Sequence, residues 1–135
     1  MEKNFAEAEN LFEGLMKNAV ETKVITEAPE TDWDIIVKSG IFVFKKAELT
    51  MDDGLVLKIS DIYNWGNRDG MVKFSKEEFE ALGEKDPEEY LKRKGAYLAD
   101  VYTSEDTWTY EGISENDGEY ALCYSIDYQE YYCEE

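Results

Sequence analysis

Eleven carboxylates and eight tyrosines follow Lys94, and no Lys, Arg or His lies among them. Carboxylates at this density have three kinds of chemistry open to them. They can pair with cationic side chains, hold a hard metal ion, or act as acid and base across a glycosidic bond. The carboxylates Asp100, Glu105, Asp106, Glu111, Glu115, Asp117, Glu119, Asp127 and Glu130 interleave with Tyr102, Trp108, Tyr110 and Tyr128. An acidic disordered brush has few aromatic residues, so this interleaving predicts a folded surface. Sheets that bind single-stranded nucleic acid also display aromatic side chains, but among basic residues. Here acids surround them, which suits a basic groove on another protein.

The competing chemistries find little support. With 32 acidic residues in 135, some pair at glycosidase spacing is inevitable and carries no signal. Without histidine, Ser-His and Cys-His nucleophilic mechanisms are excluded. No phosphate-binding Gly-rich loop and no CxxC pair occurs. Asp52-Asp53-Gly54 and Asp69-Gly70 lack the alternating oxygen ligands and closing Glu of a calcium loop. The expectation is a protein with no catalytic residues, no metal and no cofactor.

Charge limits the partners further. The chain carries 14 basic and 32 acidic residues, a net of −18, far beyond the magnitude of about 2–8 that solubility requires of a small domain. Phosphate backbones and anionic membranes would be repelled, so direct binding to DNA, RNA or a membrane is not expected. The opening MEKNFAEAEN has no basic segment leading into an apolar one, which predicts a chain without a secretory signal and a cytoplasmic location. Cys123 and Cys133, if carried on one strand, would stand about 33 Å apart at ~3.3 Å per residue. That is beyond disulfide reach and agrees with a reducing compartment.

The elements that must position these side chains can be read from periodicity and turn chemistry. The length predicts a single domain over residues 1–135. Apolar residues at three- and four-residue spacing predict an amphipathic helix over 4–22, with Asn4 and Glu7 as its capping box. Trp33–Lys38 and Ile41–Lys46 read as strands, and Met51-Asp52-Asp53-Gly54 as a hairpin turn before a strand over 55–59. Asn67-Arg68-Asp69-Gly70 reads as another turn before a strand over 71–74. Ser75 and Glu78 form a capping box for a helix ending at Gly83, and Asp86-Pro87 starts a second helix ending at Gly95. Lys92, Arg93 and Lys94 suit the last turn of that helix. Beyond it, strands at 96–103, 107–113 and 119–132 are predicted as a three-stranded meander. The expected core is Phe12, Leu15, Ile36, Phe42, Phe44, Val56, Leu57, Phe79, Leu82, Leu98, Val101, Leu122 and Ile126. The fold class is α+β: an N-terminal helix, an antiparallel sheet with a C-terminal three-stranded meander, and two short helices in between.

The expected function follows from the charge. Duplex DNA carries one charge per ~1.7 Å of axis, so eighteen net charges match roughly 30 Å of duplex. Carboxylates accept bidentate bonds from Arg as phosphates do. In composition the chain resembles phage-encoded DNA-mimic inhibitors of restriction or CRISPR nucleases, which as a class are short, very acidic and without catalytic residues. The resemblance implies an anti-restriction or anti-CRISPR inhibitor that blocks the basic nucleic-acid-binding site of another protein. The alternative is an immunity or antitoxin protein that neutralises a basic toxin nuclease. The partner-binding surface is placed on Asp100, Tyr102, Glu105, Asp106, Trp108, Tyr110, Glu111, Glu115, Asp117, Glu119, Asp127, Tyr128 and Glu130. Tyr-rich strand edges could also pair across a homodimer, although −18 per subunit opposes close approach.

Overall fold

A computed structural model of the chain describes residues 14–27, 33–96 and 107–127. Six strands make one antiparallel sheet in the order β1-β2-β3-β4-β6-β5. They are β1 (Ala19–Glu27), β2 (Ile41–Met51), β3 (Val56–Asn64), β4 (Asn67–Ser75), β5 (Thr107–Asn116) and β6 (Glu119–Asp127). Helices accompany them: α1, described over residues 14–18, then the short α2 (Trp33–Ser39), α3 (Lys76–Ala81) and α4 (Pro87–Arg93). The coarse expectation of antiparallel sheet plus short helices therefore matches the observed architecture. Among the described residues no helix is long and apolar enough to cross a membrane.

Strand alternation builds the core. In β3, Leu57, Ile59, Asp61 and Tyr63 are buried while Lys58 and Asn64 between and beyond them are exposed. Ala47, Leu49 and Met51 of β2, Val72 and Phe74 of β4 and Leu122 of β6 join the same layer. Leu15 of α1, Phe79 of α3 and Tyr90 and Leu91 of α4 close over it. At its centre Phe79 meets Tyr90 and Tyr120 edge-on, with ring centroids 5.5 and 5.6 Å away, and lies 5.5 Å from Phe74. Such edge contacts are favoured by the ring quadrupoles and add to the area each ring buries.

Several expectations about local structure are corrected. The N-terminal helix stops at Asn18; residues 19–22 belong to β1, where Val20, Thr22 and Val24 suit an extended backbone. The segment Trp33–Lys38 is helical, not a strand. Its β-branched residues cost a helix only a few tenths of a kcal/mol each. Against that, Asp34 and Lys38 complement the two ends of the helix, and the Ser39 hydroxyl donates to the Ile35 carbonyl at 2.9 Å.

The turn expected at 67–70 is instead the start of β4, paired with β3 and β6. The chain reverses one step earlier, at Trp65 and Gly66, with φ of 48° and 96°. Two successive positive φ values make the mirror-image turn that matches strand twist. Trp65 accepts that conformation because its amide donates to the Gly40 carbonyl at 2.7 Å and its ring lies directly over Gly40.

The three-stranded meander is also corrected in part. β6 lies between β4 and β5, so the hairpin is built into the main sheet along β4. The expected strand at 96–103 falls on residues 97–103, outside the described residues, apart from Ala96, which is buried. Within the expected core, Leu15, Leu57, Phe79 and Leu122 are buried, and Phe42 and Phe44 pack against it half-buried. Leu82 is exposed because α3 ends at Ala81 and Leu82 is its C-cap. Val56 is only half-buried, since strand neighbours point to opposite faces and Leu57 takes the core side. The side chain of Ile36 and that of Ile126 lie outside the described residues, as do Phe12, Leu98 and Val101.

The starts of α3 and α4 match the expected caps. Ser75 accepts from the Glu78 amide at 3.1 Å. Asp86 accepts from the amides of Glu88 and Glu89, with Pro87 opening α4.

Candidate interaction surface on the acidic hairpin

Within the base-free part of the chain, residues 107–127 fold as the hairpin β5–β6 at one edge of the sheet. Its tip is the turn Asp117-Gly118, with φ of 55° and 79°, the geometry favoured by an Asp-Gly pair. Residues 107–127 carry five carboxylates and no base. Three of these have described side chains: Glu115, Asp117 and Glu119.

Two of the three are engaged inside the molecule. Glu115 accepts from the Lys76 ammonium at 2.7 Å, and this bond pushes the Lys76 pKa up. Glu119 lies between Lys58 and Lys73, 3.6 and 3.7 Å from their ammonium groups. Asp117 stands exposed at the tip.

The structure brings together only part of the expected surface. Trp108, Tyr110 and Glu111 lie along β5, opposite Ile126, Tyr124 and a register shift respectively. Asp127 ends β6, opposite Thr107 of β5 and Asn67 of β4. Asp100, Tyr102, Glu105, Asp106, Tyr128 and Glu130 lie outside the described residues, as does Cys133. Tyr120 is half-buried and packs on Phe74 and Phe79. Tyr63 and Tyr90 are fully buried.

Charge is distributed unevenly. The described residues hold 20 acids and 13 bases, a net of −7. The remaining −11 resides in the other segments of the sequence. By strand register, the sheet face opposite the helices carries Lys23, Lys46, Lys58 and Lys73 against Glu21, Glu48, Asp69 and Glu119. Among the residues whose side chains are described, that broad face carries acids and bases in equal number.

A second polar cluster escaped the sequence reading. Tyr90, fully buried, donates its hydroxyl to Asp53 at 2.7 Å. Asp53 also accepts from the Leu55 amide at 3.0 Å. The Lys94 ammonium lies 2.8 Å from Asp52 and 3.6 Å from Asp53 and 5.4 Å from the centre of the Tyr90 ring. Partial burial pushes the Asp53 carboxyl up, but the Leu55 amide, the Tyr90 hydroxyl and Lys94 together outweigh it and hold it below the ordinary value. Burial and the neighbouring Asp53 push the Tyr90 phenol far up. A phenol so held is no base at neutral pH. The cluster ties α4 to the β2–β3 turn, so its role is structural. The sequence signal was Asp-Asp-Gly, read only as a turn; the tyrosine that completes it lies 37 residues away.

This cluster yields an expected pH response. A carboxyl with a lowered folded pKa adds stability above its unfolded value, near 3.9, and that stability is lost as pH falls through the folded value. Tyr90→Phe is expected to cost about 1–2 kcal/mol at pH 7 and to reduce the acid dependence below pH 4. Urea titrations of both proteins between pH 2.5 and 7 check this; parallel curves would exclude the coupling.

No family model, curated protein or solved structure matches this chain.

Proposed function

We propose that the chain is an acidic inhibitor that occupies the basic nucleic-acid-binding site of another protein, with carboxylates lying where phosphates would otherwise bind. One observation carries the reading: the final 41 residues hold eleven carboxylates and no base, and their described part is a hairpin held along its length by β4. A strand-held hairpin fixes the spacing of its side chains, as recognition of a fixed pattern of Arg and Lys requires.

The internal pairs refine where attraction comes from. Glu115 and Glu119 are engaged by lysines, so a partner would have to displace those lysines to use them. The reading therefore rests the attraction on the other acids of the run. Reversing Glu105, Asp106 and Glu111 to Lys is expected to weaken partner binding at least tenfold in 0.15 M salt. Reversing Glu115 alone is expected to act mainly on the Lys76 pair and change affinity about twofold.

The deciding experiment captures a partner with the immobilised chain from phage-host lysate and titrates it against a 30-base-pair duplex. Mimicry predicts mutual displacement and an affinity that falls steeply with salt. Undiminished binding at saturating duplex would exclude it. A dedicated toxin nuclease as sole partner, bound equally with or without nucleic acid, would establish the immunity reading.

A further inference from the structure

Among the described residues the sheet ends in two edge strands, β1 and β5, and their charge patterns differ. β5 carries Glu111 and Glu115 and no base, so two such strands side by side would set acids against acids. β1 reads Ala-Val-Glu-Thr-Lys-Val-Ile-Thr-Glu and is complementary to itself. Antiparallel pairing about Thr22 sets Glu21 opposite Lys23 of the second copy and Lys23 opposite its Glu21. The same register sets Val20 against Val24 and Ala19 against Ile25. Paired residues share a face in an antiparallel sheet, so each ion pair forms twice.

Two further observations favour this edge. Val20, Val24 and Ile25 are 68%, 46% and 55% exposed, an apolar row that an edge strand ordinarily avoids. Val20 and Ile25 sit at the shifts in register with β2, and residues 21–24 between them are regularly paired, leaving a straight segment to template another strand. The edge is also neutral in a strongly acidic chain: residues 14–27 hold Lys17, Lys23, Glu21 and Glu27. Among the described residues a second copy approaching here meets no net charge, and more distant acids are screened beyond ~8 Å at physiological salt.

We propose that two copies of this chain pair β1 to β1 across a two-fold axis through Thr22, forming one continuous antiparallel sheet of both sets of six strands. At ~4.8 Å between strands the two acidic hairpins would then lie at opposite ends, about 50 Å apart. The dimer is independent of what those hairpins bind.

Sedimentation velocity on the full chain, from about 1 to 500 μM in 0.15 M salt, tests it. The expected result is a concentration-dependent dimer. Glu21→Lys and Lys23→Glu each turn two attractive pairs into repulsive ones and are expected to raise the dimer Kd about tenfold, at 0.2–1 kcal/mol per cross-strand pair. The double exchange should return within about twofold of the parent, and an equimolar mixture of the two single variants should form heterodimers as tight as the parent. Both side chains are exposed, so circular dichroism of the variants should match the parent. As a second readout, β1 amides of the unmodified chain should exchange more slowly as concentration rises. A dimer indifferent to the charge exchange, or a monomer throughout with β1 left for a strand of another protein, overturns the proposal.

Discussion

Gly14→Ala is expected to cost about 3 kcal/mol or more, through a clash of backbone on backbone. A Cβ on Gly14 would collide with the carbonyl oxygen of Gly95. The reverse contact is as tight: a Cβ on Gly95 would lie 2.7 Å from the Gly14 carbonyl oxygen and 2.9 Å from the Asn18 side-chain nitrogen, at a φ of +111°. The backbone on either side of Gly95 is held. Asn18 donates to the Lys94 carbonyl at 2.7 Å, and the Ala96 amide just beyond Gly95 donates to the Leu91 carbonyl at 2.9 Å. The crossing thus docks α1 on the end of α4 and lets Leu15 reach the core. Gly83→Ala is the comparison, because Gly83, unlike the helical Gly14, has a positive φ, +84°, but nothing stands within 4 Å of the added carbon. It should cost about 1–2 kcal/mol of backbone strain alone. Urea denaturation followed by circular dichroism distinguishes them. If Gly14→Ala proves no worse than Gly83→Ala, the close approach is wrong.

Phe79→Ala is expected to cost about 4 kcal/mol, the range for deleting a fully buried aromatic ring. Phe79 is fully buried and touches Phe74, Tyr90 and Tyr120 at once. Removing it leaves a cavity walled by three rings from β4, α4 and β6, whose backbones are held by sheet or helix and cannot collapse into it. A loss of this size is a large part of the 5–15 kcal/mol that holds a typical domain together. Leu82→Ala, three residues on, should cost under about 0.5 kcal/mol because that side chain is exposed. Equal midpoints for the two variants would show that α3 does not seat on the sheet through Phe79.

The two controls mark where sequence reasoning succeeded and where it failed. Leu82 and Phe79 have the same spacing and hydrophobicity that a helix face requires, and periodicity alone placed both in the core. The helix ends between them, and only its docking on β4 and β6 decided which one is covered. Gly14 falls inside the helix that periodicity predicts, and nothing local shows that its lack of a side chain is what lets a segment 81 residues away come into contact. Trp33–Lys38 looked extended because three β-branched residues outvote their neighbours locally. Propensities of a few tenths of a kcal/mol are easily overridden by caps and packing.

The candidate site divides in the same way. The total charge, the absence of histidine and the base-free run after Lys94 are properties of the sequence, and folding leaves them unaltered. So are the capping residues Ser75 and Asp86 and the Asp117-Gly118 turn, because each bonds within three residues of itself. Which acids stay available to a partner could not be read in this way. Glu115 is matched to Lys76 across 39 residues, and Glu119 to Lys58 and Lys73 across β3 and β4. The edge positions of β1 and β5 and the interior position of β6 among the described strands likewise depend on strand order, which local signals do not encode. Short-range hydrogen bonds and net charge follow from residue type and spacing; strand order, burial and long-range ion pairs follow only from how the whole sheet closes over its core.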